Sequence, residues 1–176
     1  MTTGTTEGPP TGPLPPTGPL LADGRADPVF GSIADGVGLR LQGRRDEARR
    51  MLTEVWDELG AAGDPLHRCA AAHALAGVQD EPNAELEWHL RALLAADQVS
   101  ESRTPHPSGI RPVALYPSLH LNLADVHHRL GNNERARLHV QLGRSALLEL
   151  PPDDARNVLA AALDRVEVRL DGPAPA

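Results

Sequence analysis

From Pro28 onward the apolar residues recur three and four positions apart, in blocks closed by glycine and proline. Ala48, Leu52, Val55 and Leu59 form one such stripe, and Leu86, Leu90 and Leu93 another. Leu119, Leu123, Val126 and Leu130 make a third, Ala136, Val140, Gly143 and Leu147 a fourth, and Leu159, Leu163, Val166 and Leu170 a fifth. A period near 3.6 predicts helices with one buried face. Seven are expected, over about 28–41, 45–59, 65–78, 84–96, 117–130, 134–148 and 153–170. Two begin on the same dipeptide, Asp27-Pro28 and Asp64-Pro65. A carboxylate there accepts the unpaired amides of a first turn, and proline has no amide to leave unpaired. The outer segments break this pattern. Residues 1–26, with TGPL twice, and 171–176 are too rich in proline and glycine for helix, so both are expected to be flexible tails. Residues 99–116 hold prolines and a glycine and are expected to form a long loop.

Two stretches read alike. LRLQGRRDEAR (39–49) and HHRLGNNERAR (127–137) each place a glycine fifth, an alanine tenth and an arginine last. A repeated helix–glycine–helix unit divides the chain into pairs at about 28–61, 64–98 and 117–150, with a last helix at 153–170. No pair can bury its own stripe, so stacked pairs must cover one another and the last helix must cover the end.

The third unit resembles a tetratricopeptide repeat. Where that family asks for large, Leu, small and large residues on a first helix, the chain has His120, Leu123, Ala124 and His127. The turn glycine is Gly131, and the second-helix positions are Ala136, Val140 and Gly143. The first unit matches at Gly36, Leu39, Gly43, Ala48 and Leu52, with Asp35 where leucine is usual; in the second, Ala84 and Glu85 compete for one slot. The layout is similar to that of small actinobacterial tetratricopeptide-like proteins with a long segment before the last repeat. The resemblance implies an all-α fold: a right-handed α-solenoid of three antiparallel helix pairs plus a C-terminal capping helix. It also implies a concave groove lined by the first helix of each pair. In the third unit the groove residues would be Ser118, Leu121, Asn122, Asp125, His128 and Arg129. Asn122 can both donate to and accept from a peptide backbone, Arg129 can grip a carboxylate with two bonds, and Asp125 lies one turn before His128 and Arg129. The implied function is a non-enzymatic adaptor holding a peptide or partner helix. The alternative is a self-associating or regulatory module, with a homodimer as one outcome.

Composition narrows this further. Leu and Ala dominate, and Phe, Tyr and Trp total four residues, a balance that favours helix over strand. The net charge of −7 opposes a nucleic-acid role. Arg44, Arg45, Arg49 and Arg50 cluster, but Asp46, Glu47 and Glu54 are interleaved, as on a solvated helix face. No apolar run approaches the ~18 residues of a membrane span, no signal peptide is visible, and one cysteine allows no internal disulfide. A cytoplasmic protein is expected.

Candidate chemistry is sparse. Cys69 and His73 stand four apart, and His120 and His127 share a face, but no CxxC or HExxH spacing occurs. Cys69 reads as a small buried apolar residue, His120 and His127 as packed, hydrogen-bonded imidazoles, and Trp56 and Trp88 as packing residues. Asp80, Glu81, Glu85 and Glu87 surround a helix start, where acids suit the helix dipole. No metal, cofactor or catalytic residue is expected; a hydrolase or metalloenzyme is the weakest alternative.

Overall fold

The computed structural model describes residues 27–101 and 111–172. The expected N-terminal tail, residues 102–110 of the expected 99–116 loop and the last four residues lie outside them. Among the described residues the chain is all-helical, with no strand: α1 (Pro28–Leu41), α2 (Arg45–Leu59), α3 (Pro65–Ala76), α4 (Pro82–Glu101), α5 (Tyr116–Arg129), α6 (Asn133–Leu148) and α7 (Asp154–Asp171), with one 3-10 turn at Pro112–Ala114. None of these helices is long and apolar enough to cross a membrane.

Helix starts follow the side chains available. Asp27 Oδ1 accepts from the amides of Val29 and Phe30 at 2.9 and 3.3 Å, and Asp64 Oδ1 from those of Leu66 and His67 at 2.9 and 3.1 Å. Asp27 does more, because its second oxygen meets His67 Nε2 at 2.8 Å and ties the start of α1 to the start of α3. Burial opposes its ionisation, but the bonds from His67 and from the Phe30 and Val29 amides outweigh that and hold the carboxyl below the usual range.

The two look-alike stretches form the same turn. Gly43 and Gly131 have φ of 79° and 75°, a left-handed conformation that glycine adopts without a Cβ clash. The residue after each glycine closes back over the turn: Arg44 N donates to Leu39 O at 3.0 Å, and Asn132 N to His127 O at 2.8 Å. Five residues beyond each glycine, Ala48 and Ala136 are completely buried. Thus α1–α2 and α5–α6 are hairpins of one design.

Each helix packs on its chain neighbour; α1 also meets α3, and α5 meets α7. The core is a chain of clusters. Phe30, Ile33, Leu52, Leu66, Leu75 and Val78 join α1, α2 and α3. Cys69, Ala72, Ala92, Ala96 and Leu119 join α3, α4 and α5. Ala124, Ala136, Val140, Val166 and Leu170 join α5, α6 and α7. Burial of each leucine in this seam contributes about 1.5–3 kcal/mol. Two glycines are needed for space: a Cβ on Gly36 would lie 2.7 Å from Leu52 Cδ2, and one on Gly143 would lie 3.1 Å from Leu163 Cδ2. Trp56 and Trp88 meet edge to face at 5.1 Å and fasten α2 to α4. Arg49 donates to Val78 O at 2.8 and 3.1 Å, and Arg45 to the same oxygen at 3.2 Å. These bonds satisfy a carbonyl just past the end of α3.

The fourth helix departs from expectation. It runs from Pro82 to Glu101 rather than from 84 to 96, so it takes in residues 99–101 of the expected loop, and Val99 is buried in the first cluster. Its inner face is not centred on the leucine stripe: Leu93 packs half-buried against the second cluster, but Leu90 is exposed. His89, Ala92, Ala96 and Val99 face inward, while Leu90 and Leu94 are 46% and 62% exposed. The partner surface on α3 is itself rich in alanine, and two alanine faces approach more closely than a leucine would allow. The fifth helix begins one residue early, at Tyr116.

Candidate functional site

Alanine on α3 and α4 leaves room as well as contact. A cavity of about 520 Å³ lies where α1, α3, the first part of α4 and α5 converge. Ile33 and Val37 supply one apolar wall, and Leu115 and Leu119 the opposite one. Its polar groups are Arg40 on α1, His73 on α3, Glu85 and His89 on α4, and Ser118 and Asn122 on α5. A second, shallower cavity of about 220 Å³ follows on, between α5 and α7, lined by Leu121, Asn122, Asp125, Arg165 and Arg169 among others. Asn122 is in both linings, so the two cavities share a wall.

The side chains around His73 form an unusual group. Helical spacing of four places Cys69 before His73 on α3 and Glu85 before His89 on α4. Antiparallel packing sets the two histidine rings 5.7 Å apart. His89 is 3% exposed, and its Nε2 lies 3.6 Å from Glu85 Oε1. The Nδ1 atoms of both His73 and His89 are buried without a hydrogen-bond partner. Burial, then the positive fields of His89 and Arg40, push His73 down to about 4, so its imidazole is neutral at neutral pH. Burial alone pushes the Cys69 thiol up to about 12, which keeps it protonated and a poor nucleophile.

The residues assigned to the groove by resemblance have distinct fates. Ser118 lines the large cavity, with its hydroxyl donating to Leu115 O at 2.9 Å. Asn122 is the shared wall, and Leu121 and Asp125 line the second cavity. Asp125 accepts from Arg129 at 3.1 Å and also pairs with Arg169 on α7. Arg129 additionally reaches Glu85 at 2.6 Å, joining α5 to α4. Burial works against both charges, yet the pairing wins: Glu85 is held below the usual carboxylate range and Arg129 above the usual arginine value. Two of the three guanidinium nitrogens of Arg129 are thus already engaged, so a carboxylate could not grip its Nε–Nη2 edge without displacing Glu85 and Asp125. His128 lines neither cavity; its Nδ1 lies 3.2 Å from Asn133 Oδ1 at the α5–α6 turn.

A second histidine group lies on the opposite side of α5. His120 Nδ1 and His139 Nδ1 are 3.2 Å apart and share a hydrogen bond, and the His127 ring stacks on His139 at 5.5 Å. His120 thus sits as a packed, hydrogen-bonded imidazole, whereas His127 Nδ1 is buried with no partner. Burial first, then the positive fields of His120, His127 and Arg135, push His139 down to about 4. Among the described residues no three His, Cys, Asp or Glu groups are gathered to hold a metal ion.

The groups that sequence reasoning passed over are Arg40, His89, Arg165 and Arg169. The four-residue spacing on α4 hinted at His89; nothing local marked the three arginines, which lie on α1 and α7. In comparisons with protein-family models, curated proteins and solved structures, nothing matches the chain.

Proposed function

We propose that the chain is an intracellular interaction module of the tetratricopeptide kind. In this reading three hairpins stack as a right-handed α-solenoid, α7 caps the last, and a peptide or partner helix lies along α1, α3, α5 and α7 without any catalytic step. The observation that carries it is the shared wall at Asn122: two cavities meet there, and together they run past the first helix of each pair to α7, with Glu85 and His89 of α4 also in the wall. Apolar walls with a few convergent polar groups suit capture of a segment with mixed side chains. The test is a pull-down from native lysate with the full chain and two single variants. Asn122→Arg fills the junction of the cavities, while Leu138→Arg alters an exposed position on α6. Capture lost in the first and kept in the second supports the groove; capture unchanged in Asn122→Arg refutes it.

One observation favours self-association as a second reading. Leu90 and Leu94 on α4, and Leu138 and Leu142 on α6, are exposed leucine pairs at four-residue spacing. Light scattering across a hundredfold concentration range tests this reading. A mass that rises with concentration, and falls back to the monomer in Leu94→Glu, is its signature; a constant monomer mass excludes it.

A further inference from the structure

The outer face of α7 is not that of a plain cap. Where helical hairpins stack, the terminal face turned to water is polar. On α7, Leu163, Val166 and Leu170 face inward and are buried. On the opposite side stand Asp154, Val158, Ala161, Arg165 and Val168, all exposed. The two valines are 66% and 72% exposed. The five residues follow one another at spacings of four, three, four and three, the heptad seam by which one helix lies along another. The charges of α7 single out the same face. Asp164 and Glu167 are held by Arg144, Arg169 by Asp125, Asp171 by Arg137, and Arg156 by the carbonyl of Leu150. Asp154 and Arg165 are the two charged groups of α7 with no such partner among the described residues. One is an acid and the other a base, and they lie about three helical turns apart in the exposed seam.

We propose that α7 docks antiparallel on α7 of a second copy of this chain, as a twofold-symmetric dimer. The charges choose the direction. A parallel pair would set Asp154 against Asp154 and Arg165 against Arg165, which repel. In the antiparallel register that lays Val158 on Ala161 of the partner subunit, Asp154 meets Arg165 of the partner subunit. Twofold symmetry makes each contact twice, so all four unpaired charges of the two copies find an opposite charge. Alanine beside valine at the centre lets the two helix axes approach closely. Val168 then covers the Pro151–Pro152 bend of the partner subunit, where the chain passes from α6 into α7. The seam is short, so the dimer forms as concentration rises rather than as an obligate pair. This inference rests neither on peptide capture nor on the leucine pairs of α4 and α6. The inner side of α7 keeps its cavity with α5, with Arg165 at the rim between the two faces.

The test is sedimentation equilibrium of the full chain over a hundredfold concentration range. The parent chain should pass from monomer to dimer mass, and Leu94→Glu should leave that passage unchanged. Asp154→Arg and Arg165→Asp should each weaken dimerisation at least about tenfold, because both symmetric contacts become like-charged. An equimolar mixture of these two variants should dimerise again, since one copy then carries two arginines on its seam and the other two aspartates. The double variant exchanges the two charges and should dimerise as the parent does. Recovery in the mixture and in the double variant separates a lost contact from a lost fold. A constant monomer mass in the parent would overturn the proposal and leave peptide capture standing. A dimer lost in Leu94→Glu but kept in Asp154→Arg would also overturn it and assign the association to the leucine faces. So would a mixture that stays monomeric, or masses beyond the dimer, because a twofold contact closes on itself.

Discussion

Lowering the pH from 7.5 to 5.0 should destabilise the fold by about 3 kcal/mol, mainly through two histidines. An unfolded imidazole titrates near 6.5, and burial beside His89 and Arg40 brings His73 to about 4. Between those values the unfolded chain binds more protons than the folded one, so stability is complete above pH 6.5 and falls as the pH drops toward 4. The full gap of roughly 2.5 units amounts to about 3 kcal/mol, of which about 2 is lost by pH 5, which still lies above the folded value. His139 is also held near 4, but it is only half-buried, so solvent screening cuts its share to about 1 kcal/mol. Burial also lowers His120 and His127, which act in the same direction. Carboxylates titrate mainly below pH 5, so this window isolates the imidazoles. The assay is urea unfolding followed by far-ultraviolet circular dichroism. With a slope of about 1–3 kcal/mol per molar for a domain of this size, the midpoint should fall by roughly 1–3 M. In His73→Leu the loss should shrink to about 1 kcal/mol. Equal midpoints at the two pH values, or an undiminished loss in His73→Leu, would show that these imidazoles are not desolvated as described.

Gly36→Ala should cost about 1–3 kcal/mol, because its methyl would press on the fully buried Leu52; Gly38→Ala on the same helix, with open space around it, should stabilise by about 0.5–1 kcal/mol, and thermal melts of the pair separate crowding from helix propensity. Gly43→Ala and Gly131→Ala should each cost about 1–2 kcal/mol and by similar amounts, since both positions are left-handed; unequal losses in the same melts would mean the two turns differ. Asp27→Ala should destabilise more than Asp64→Ala, whose loss is about 1 kcal/mol, because Asp27 also holds His67; equal urea midpoints would discount that bond. Ala136→Glu places a carboxylate at a completely buried position and should abolish cooperative unfolding of the α5–α6 hairpin, read by amide exchange.

What could be read in the chain was local. The Asp-Pro starts predict caps two and three residues on, and the amides of Val29, Phe30, Leu66 and His67 supply them. The paired Leu-Gly-Ala stretches predict one turn used twice, with matching glycine dihedrals. The inner face of α4 was not legible, because the larger leucines masked an alanine face whose value depends on meeting the alanines of α3. Periodicity alone could not tell Leu90, which is exposed, from Ala92, which is buried. The candidate site was less legible still. Asn122 falls in the cavity walls, but Arg129 is taken up by Glu85, 44 positions away in sequence, and Asp125 by Arg169, 44 positions the other way. Arg40, His73 and His89 come together only through the packing of three helices.

The twin turns also dictate where this chain can change length. Each is closed within six residues by a backbone bond, and the alanine five places past the glycine has no clearance. One residue inserted between Gly43 and Ala48 would swing everything downstream on that helix by about 100° and carry Leu52 away from Gly36. Insertions and deletions should therefore be purged at the two bends in any lineage that keeps the fold, so their spacing is the durable signature by which distant kin could be traced after the rest of the sequence has drifted.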